Sequence, residues 1–182
     1  EFERILSATG PYQGHLQKPS DHQAPKKIAW LQCIGSRDIH VCDHGYCSSV
    51  CCMYAIKEAV IAKEHAGKDL ECAIFYMDMR THGKDFEKYY ERAKSQGVRF
   101  IRSKVHTITE IDETGTLNLV YATDAGERIS EDFDMVVLSV GMEPAASAIE
   151  TARTLGVELN SYKFVKTSDI APVATSRKGI YV

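Results

Sequence analysis

The chain has 182 residues, 44% of them hydrophobic and 26% charged, with a formal net charge of -3. That composition suits one globular domain with a real core, and the near-neutral balance gives no electrostatic footprint for nucleic acid or an anionic membrane. No apolar run approaches the ~20 residues that span a bilayer and no secretory signal opens the chain, so a cytoplasmic location is expected. The chain begins at Glu1 and stops on the apolar run RKGIYV, and both ends read as cuts in a longer protein.

In chain order, EFERILSATG reads as a short amphipathic helix with Phe2, Ile5 and Leu6 on one side and Gly10 as its cap. PYQGHLQKPSDHQAPKK holds three of the five prolines and has no periodicity. Residues 1–26 are therefore expected to form a helix and linker arm ahead of a domain over residues 27–182. KIAWLQCIG is a short apolar run ending in glycine, expected as a buried strand with Trp30 in the core. SSVCCMYAIKEAVIAKEHAGK repeats Met53, Ile56, Ala59 and Val60 at helical spacing, and Gly67 stops it.

LECAIFYMDMR is the next strand, and GKDFEKYYERAKSQG a helix with Phe86, Tyr89, Tyr90 and Ala93 inward, ended by Gly97. VRFIRSKVHTITEI predicts a third strand that continues into antiparallel pairing. LNLVYATD and RISEDFDMVVLSVG predict a hairpin about Asp124-Ala125-Gly126, after which MVVLSVG returns as a buried strand. AASAIETARTLG is a helix, and VELN and FVKT are short strands. This order predicts an α/β fold: an open, mainly parallel Rossmann-like sheet with helices on both faces and an antiparallel β-meander.

The cysteines carry the chemistry. Five of the six fall between Cys33 and Cys52, whereas disulfides that stabilise a fold are spread out to close long loops. The cluster occupies the turn after the first strand, the carboxyl end where open α/β sheets bind ligands, and the G-x-G-x-x-G expected of a dinucleotide turn is missing. A helix running through Cys47, Cys51 and Cys52 puts Cys47 and Cys51 on one face with Cys52 about 100° further round. Its first turns stabilise thiolates, and Cys33 reaches across from the strand end. Cys-x13-Cys-x3-Cys-Cys suits a [4Fe-4S] cluster held by Cys33, Cys47, Cys51 and Cys52. Zinc, a Cys47–Cys51 disulfide and inert packing remain the alternatives. Cys72 reads as a packing thiol and Cys42 as a loop bystander. Arg37 and Asp38 either tune the site or form a loop salt bridge and a turn.

QCIGSRD followed by YCSSVCCMYAIKEA resembles the family of heterodisulfide reductase A-type subunits. The similarity continues through MDMRTHGKDFEKYYERAKSQGVRFIR and VLSVGMEP to PVATSRKGIYV. The resemblance implies an oxidoreductase of anaerobic metabolism with a thioredoxin-reductase-like flavoprotein core, FAD and several [4Fe-4S] clusters. It implies electron transfer among hydrogenase or dehydrogenase subunits, ferredoxin and heterodisulfide-reducing partner subunits. It places Cys33, Cys47, Cys51 and Cys52 on cluster-ligand positions, and Gly141 and Met142 of SVGMEP near the flavin. The gap from Cys33 to Cys47 is one residue longer than the family's usual form, with Cys42 inside it. The family's amino-terminal FAD-phosphate motif and ferredoxin-type cysteine motifs are missing. The chain therefore reads as the cluster-bearing middle domain, expected to be inactive alone and to hold no FAD by itself. Sheet order alone offers a pyridine-nucleotide-binding domain instead, and the thiols a structural zinc module.

Overall fold

Hydrophobic periodicity resolves into eleven elements among the described residues: α1 (Phe2–Leu6), β1 (Lys27–Ile34), α2 (Cys51–Ala66), β2 (Glu71–Tyr76), α3 (Phe86–Ser95), β3 (Val98–Arg102), β4 (Thr107–Glu110), β5 (Leu117–Ala122), β6 (Arg128–Phe133), β7 (Met135–Val140) and α4 (Ala146–Leu155). The structure is a computed structural model that describes residues 1–67, 69–111, 113 and 115–182. Lys68, the last residue of the stretch expected as the second helix, lies outside the described residues, as do Asp112 and Thr114.

Two sheets form. The first is parallel throughout, in the order β3-β2-β1-β7, and the second is the antiparallel meander β4-β5-β6. From β1 the sheet is extended first through β2 to β3 on one side, then by β7 on the other. That reversal is the topological switch point at which ligand crevices open in such sheets.

Side-chain alternation assigns the two faces. Ile28 and Trp30 of β1, Cys72 and Ile74 of β2, and Met135 of β7 pack with α1, α2 and α3 in one core cluster. Ala29 and Leu31, with Ala73 and Phe75, pack instead against Leu119, Tyr121 and Phe133 of the meander. Helices α1, α2 and α3 thus share one face, and the meander packs on the other. Its buried Leu119, Tyr121 and Phe133 supply the apolar surface that a helix would otherwise bring.

Trp30 is fully buried, with its ring edge-on to Phe2 at 5.3 Å. Phe2, Ile5, Leu6 and Leu16 join the helix-side cluster, so the amino-terminal segment packs on the sheet layer. Several expected details change. α1 stops at Leu6 and is not capped by Gly10: Ser7 leaves in extended geometry, and Gly10 lies so close under Arg4 that a Cβ there would sit 1.8 Å from the Arg4 carbonyl oxygen. Phe86 is 44% exposed rather than inward, its ring lying over Gly83. VELN and FVKT contribute one isolated bridge, Leu159 to Val165, rather than strands.

One charged node ties the layers together. Glu131 on β6 accepts from Arg99 of β3 at 2.6 and 3.0 Å and from the Tyr121 hydroxyl at 2.7 Å, and pairs with Lys27 of β1 at 2.8 Å. Burial raises its carboxyl, but the bonds from Arg99, Lys27 and Tyr121 outweigh burial and hold it down at about 2. A depressed carboxyl contributes stability above its unfolded value, near 4.3, and loses it as pH falls toward about 2. Glu131→Gln is expected to cost about 1–2 kcal/mol at pH 7, solvent screening removing part of the charge-assisted gain. Urea denaturation at neutral pH and near pH 3 checks this, the difference shrinking at the lower pH.

Candidate functional site

The site begins with an irregularity in β1. Regular alternation from Ala29 and Leu31 puts Cys33 on the meander face, away from α2. The pairing of β1 with β7 slips between Leu31 and Ile34, and Cys33 takes a left-handed φ of 60°. This bulge turns the Cys33 side chain to the helix side, within hydrogen-bonding reach of Cys51. Cys51 and Cys52 are buried as the first two residues of α2. Val50 precedes them and offers no side-chain cap, so the opening N–H groups and the positive end of the helix face the thiols.

Cys33, Cys51 and Cys52 therefore form a contiguous group. Hydrogen bonds from Cys33 and Cys52 pull the Cys51 thiol far down, against its burial. The same bonds to Cys51, added to burial, push Cys33 and Cys52 up. Thiols grouped at a helix head are an arrangement that favours negative charge on sulfur.

Cys47 lies elsewhere than expected. It precedes α2 rather than lying on its face, because Ser49 is left-handed at φ 60° and the Ser48 hydroxyl accepts from the Met142 N–H at 2.9 Å. Its sulfur accepts from the Ser49 N–H at 3.3 Å and faces the Arg80 guanidinium. Cys42 is at the tip of a small hairpin closed by Asp38 and His44, which exchange two backbone bonds of 2.9 Å. Cys72 is buried in β2 with its sulfur toward the Ala59 carbonyl at 3.9 Å. Among the described residues, no three His, Cys, Asp or Glu side chains converge as the ligands of a single metal ion do. A cubane spreads its thiolates over separate irons and so needs no such convergence.

A second loop completes the surroundings, and sequence reasoning missed its role. Asp78, beyond β2, pairs with Arg37 and accepts from Arg80 Nε at 3.1 Å. Burial alone raises the Asp78 carboxyl, but the two guanidiniums hold it below the ordinary range. The Asp78 carbonyl lies 4.0 Å from the Cys52 sulfur, and the Arg80 backbone lowers Cys52. Arg37 faces Cys33, and Arg80 faces Cys47. Two cations thus flank the thiols, held apart by the carboxylate they share. The signal was present in MDMR, where alternating charges follow an apolar strand, but it read as a strand end. Asp38 instead makes a turn, its Oδ1 accepting from the N–H groups of His40 and Val41.

Gly141 and Met142 anchor the loop over residues 35–50. The Gly141 N–H donates to the Ile34 carbonyl at 2.9 Å, and a Cβ on Gly141 would meet the Ser48 and Ser36 hydroxyls at 2.9 and 3.0 Å. The Met142 carbonyl accepts from the Tyr46 hydroxyl at 2.9 Å. Ser36 and Ser48 thus pack directly against the Gly141 α-carbon. The Met142 side chain itself is 50% exposed.

No family model matches the chain. Over its whole length it is 44% identical to the A-type subunit of the H(2)/formate:CoB-CoM heterodisulfide,ferredoxin reductase of Methanococcus maripaludis. It is 42% identical, again over its whole length, to the iron-sulfur A-type subunit of the CoB–CoM heterodisulfide reductase of Methanocaldococcus jannaschii. The chain spans 28% of the length of each. Among solved structures, thioredoxin reductase of Lactococcus lactis aligns with 86% of this chain and 43% of its own, at a TM-score of 0.51 and 19% identity, a likeness of fold alone. From end to end, then, the chain belongs to the family of heterodisulfide reductase A-type subunits and corresponds to a segment of the proteins so named.

Proposed function

We propose that this chain is the electron-transfer segment of a heterodisulfide reductase A-type oxidoreductase, and that Cys33, Cys47, Cys51 and Cys52 hold a [4Fe-4S] cluster. The observation that carries this reading is that Cys33 and Cys52 each lie beside Cys51 at the uncapped head of α2. The relative from Methanocaldococcus jannaschii is named an iron-sulfur subunit, which supports the same ligand chemistry. When bound, such a cluster supplies one-electron transfer without bond making or breaking.

The chain's own residues have separable roles in this reading. The bulge at Cys33 sets one ligand and the first turn of α2 sets two. Cys47 closes the set from the loop side, where Arg80 compensates its charge. Arg37 and Arg80 offset the negative charge of thiolates and cluster, and Asp78 keeps both in place. The Ser36, Ser48 and Gly141 packing keeps the loop from opening toward β7. A longer protein, of the length of the relatives, holds FAD with Gly141 and Met142 among its neighbours. Electrons pass between that flavin and clusters of partner subunits, of hydrogenase or dehydrogenase subunits, or of ferredoxin. The names of the relatives, which include ferredoxin and H(2)/formate, support those partner classes. Free thiols of this kind belong in a reducing compartment, the cytoplasm. No helix among the described residues is long and apolar enough to cross a membrane.

Anaerobic reconstitution with iron and sulfide is expected to give iron and sulfide in equal amounts and a cubane EPR signal on reduction. Cys51→Ala and Cys52→Ala abolish it, while Cys42→Ser and Cys72→Ser retain it. Stoichiometric zinc without sulfide marks a structural zinc module instead. Arg80→Gln is expected to retain the signal and lower the midpoint potential on the order of 50 mV, since a cation near the cluster favours its more negative, reduced form. Redox titration followed by EPR measures that shift, and an unchanged potential removes Arg80 from the tuning role.

A further inference from the structure

Among the described residues, the one carboxylate buried from solvent is Glu58, 5% exposed. It lies on α2 with Tyr54 and Cys51, at the spacing that puts all three along one side of a helix. Cys51 and Glu58 are about 10 Å apart along the axis at 1.5 Å per residue. Tyr54 stands between them and feels the charge of both; its phenol, raised chiefly by burial, donates to the Val140 carbonyl at 2.9 Å. Trp30 Nε1 donates to Glu58 Oε2 at 2.9 Å. A cleft of about 210 Å³, lined by Glu3, Leu6, Ser7, Lys57, Glu58 and Ile61, opens from the carboxyl to the surface. Packing does not call for an acid here, since glutamine fills the same volume and offers Trp30 the same acceptor.

We propose that Glu58 is a redox-linked proton acceptor, taking up a proton through this cleft when the centre at the head of α2 is reduced. The inference rests on the iron–sulfur reading above. One electron enters the centre from a reduced flavin or iron–sulfur donor, one proton from water joins a Glu58 carboxylate oxygen, and reoxidation releases both. No covalent bond to carbon or sulfur is made or broken. The uptake compensates the added negative charge within the layer between α2 and β1, where water does not screen it.

The groups facing Glu58 are Trp30 from β1, Glu3 from α1, and Lys57 and Tyr54 from α2. Burial pushes the Glu58 carboxyl up to about 7, Glu3 adds to the rise, and Trp30 and Lys57 oppose it. The carboxyl therefore changes charge at neutral pH. One further negative charge about 10 Å away raises it by about one pH unit at an effective dielectric near 20.

The test is an EPR-monitored redox titration of the anaerobically reconstituted chain across about pH 5 to 9, beside Glu58→Gln and Glu3→Gln. In the unaltered chain the potential is expected to fall with rising pH around neutrality, by a total equivalent to about a tenfold change in the reduction equilibrium. Glu58→Gln abolishes that slope, and Glu3→Gln moves it to lower pH. Redox-difference infrared spectra are expected to show a carboxylic-acid C=O band that Glu58→Gln lacks, and urea denaturation at pH 5 confirms that the variant folds. A chain that binds the cluster but shows no slope, or the same slope with Gln at 58, overturns this inference and leaves the cluster reading standing. A chain that assembles no cluster overturns both.

Discussion

The left-handed residue at the end of β1 is the constraint from which the rest of the site follows. A non-glycine residue at φ 60° in a strand costs on the order of 1–3 kcal/mol and persists only where its surroundings over-determine it. Here the surroundings are two parallel neighbours, β2 and β7, that fix β1 up to Leu31, and the buried head of α2, which Cys33 meets once turned. With regular alternation, Cys33 faces the meander and the group at the head of α2 loses a member. The same slip lets the chain leave β1 toward β7, where Ile34 receives the Gly141 N–H and the loop over residues 35–50 finds its anchor.

Layering explains why a polar, sulfur-rich loop can settle there. Helices α1, α2 and α3 cover one face of the parallel sheet and the meander packs on the other, and the loop leaves at the carboxyl ends of β1 and β7. In a dinucleotide-binding relative of this topology that space belongs to phosphate, held by a glycine-rich turn and a helix head. This chain has a helix head at the corresponding end of the sheet, with Ser36 and Ser48 packing against the bare α-carbon of Gly141. A site designed for anionic phosphate and a site suited to anionic sulfur share the same physical requirement: uncapped N–H groups, a favourable dipole and a nearby cation. Arg37 and Arg80 supply the cations, and Asp78 prevents them from collapsing onto the thiols or repelling each other.

The sequence by itself determined the parallel order of strands and helices, the meander, the burial of Trp30 and the placing of Cys51 and Cys52 at a helix head. These follow from local signals: apolar runs bounded by glycine, 3.6-residue periodicity, and thiols adjacent along the chain. Tertiary structure alone decided the remainder. Where α2 begins depends on Ser48 being claimed by Met142, just beyond β7 and 94 residues away, which leaves Cys47 off the helix. That the meander and not a helix covers the second face depends on Leu119 and Phe133 finding Leu31 and Phe75. Arg80 and Asp78 became part of the site because β2 delivers them to the ends of β1 and α2, and a strand pattern does not reveal what lies beyond its last residue. Gly141 needed coordinates for the same reason: the atoms that forbid a Cβ there, in Ser36 and Ser48, come from distant parts of the chain. Local periodicity is written in neighbouring residues, whereas turns, close approaches and charge partners arise from residues that meet only after the sheet has formed.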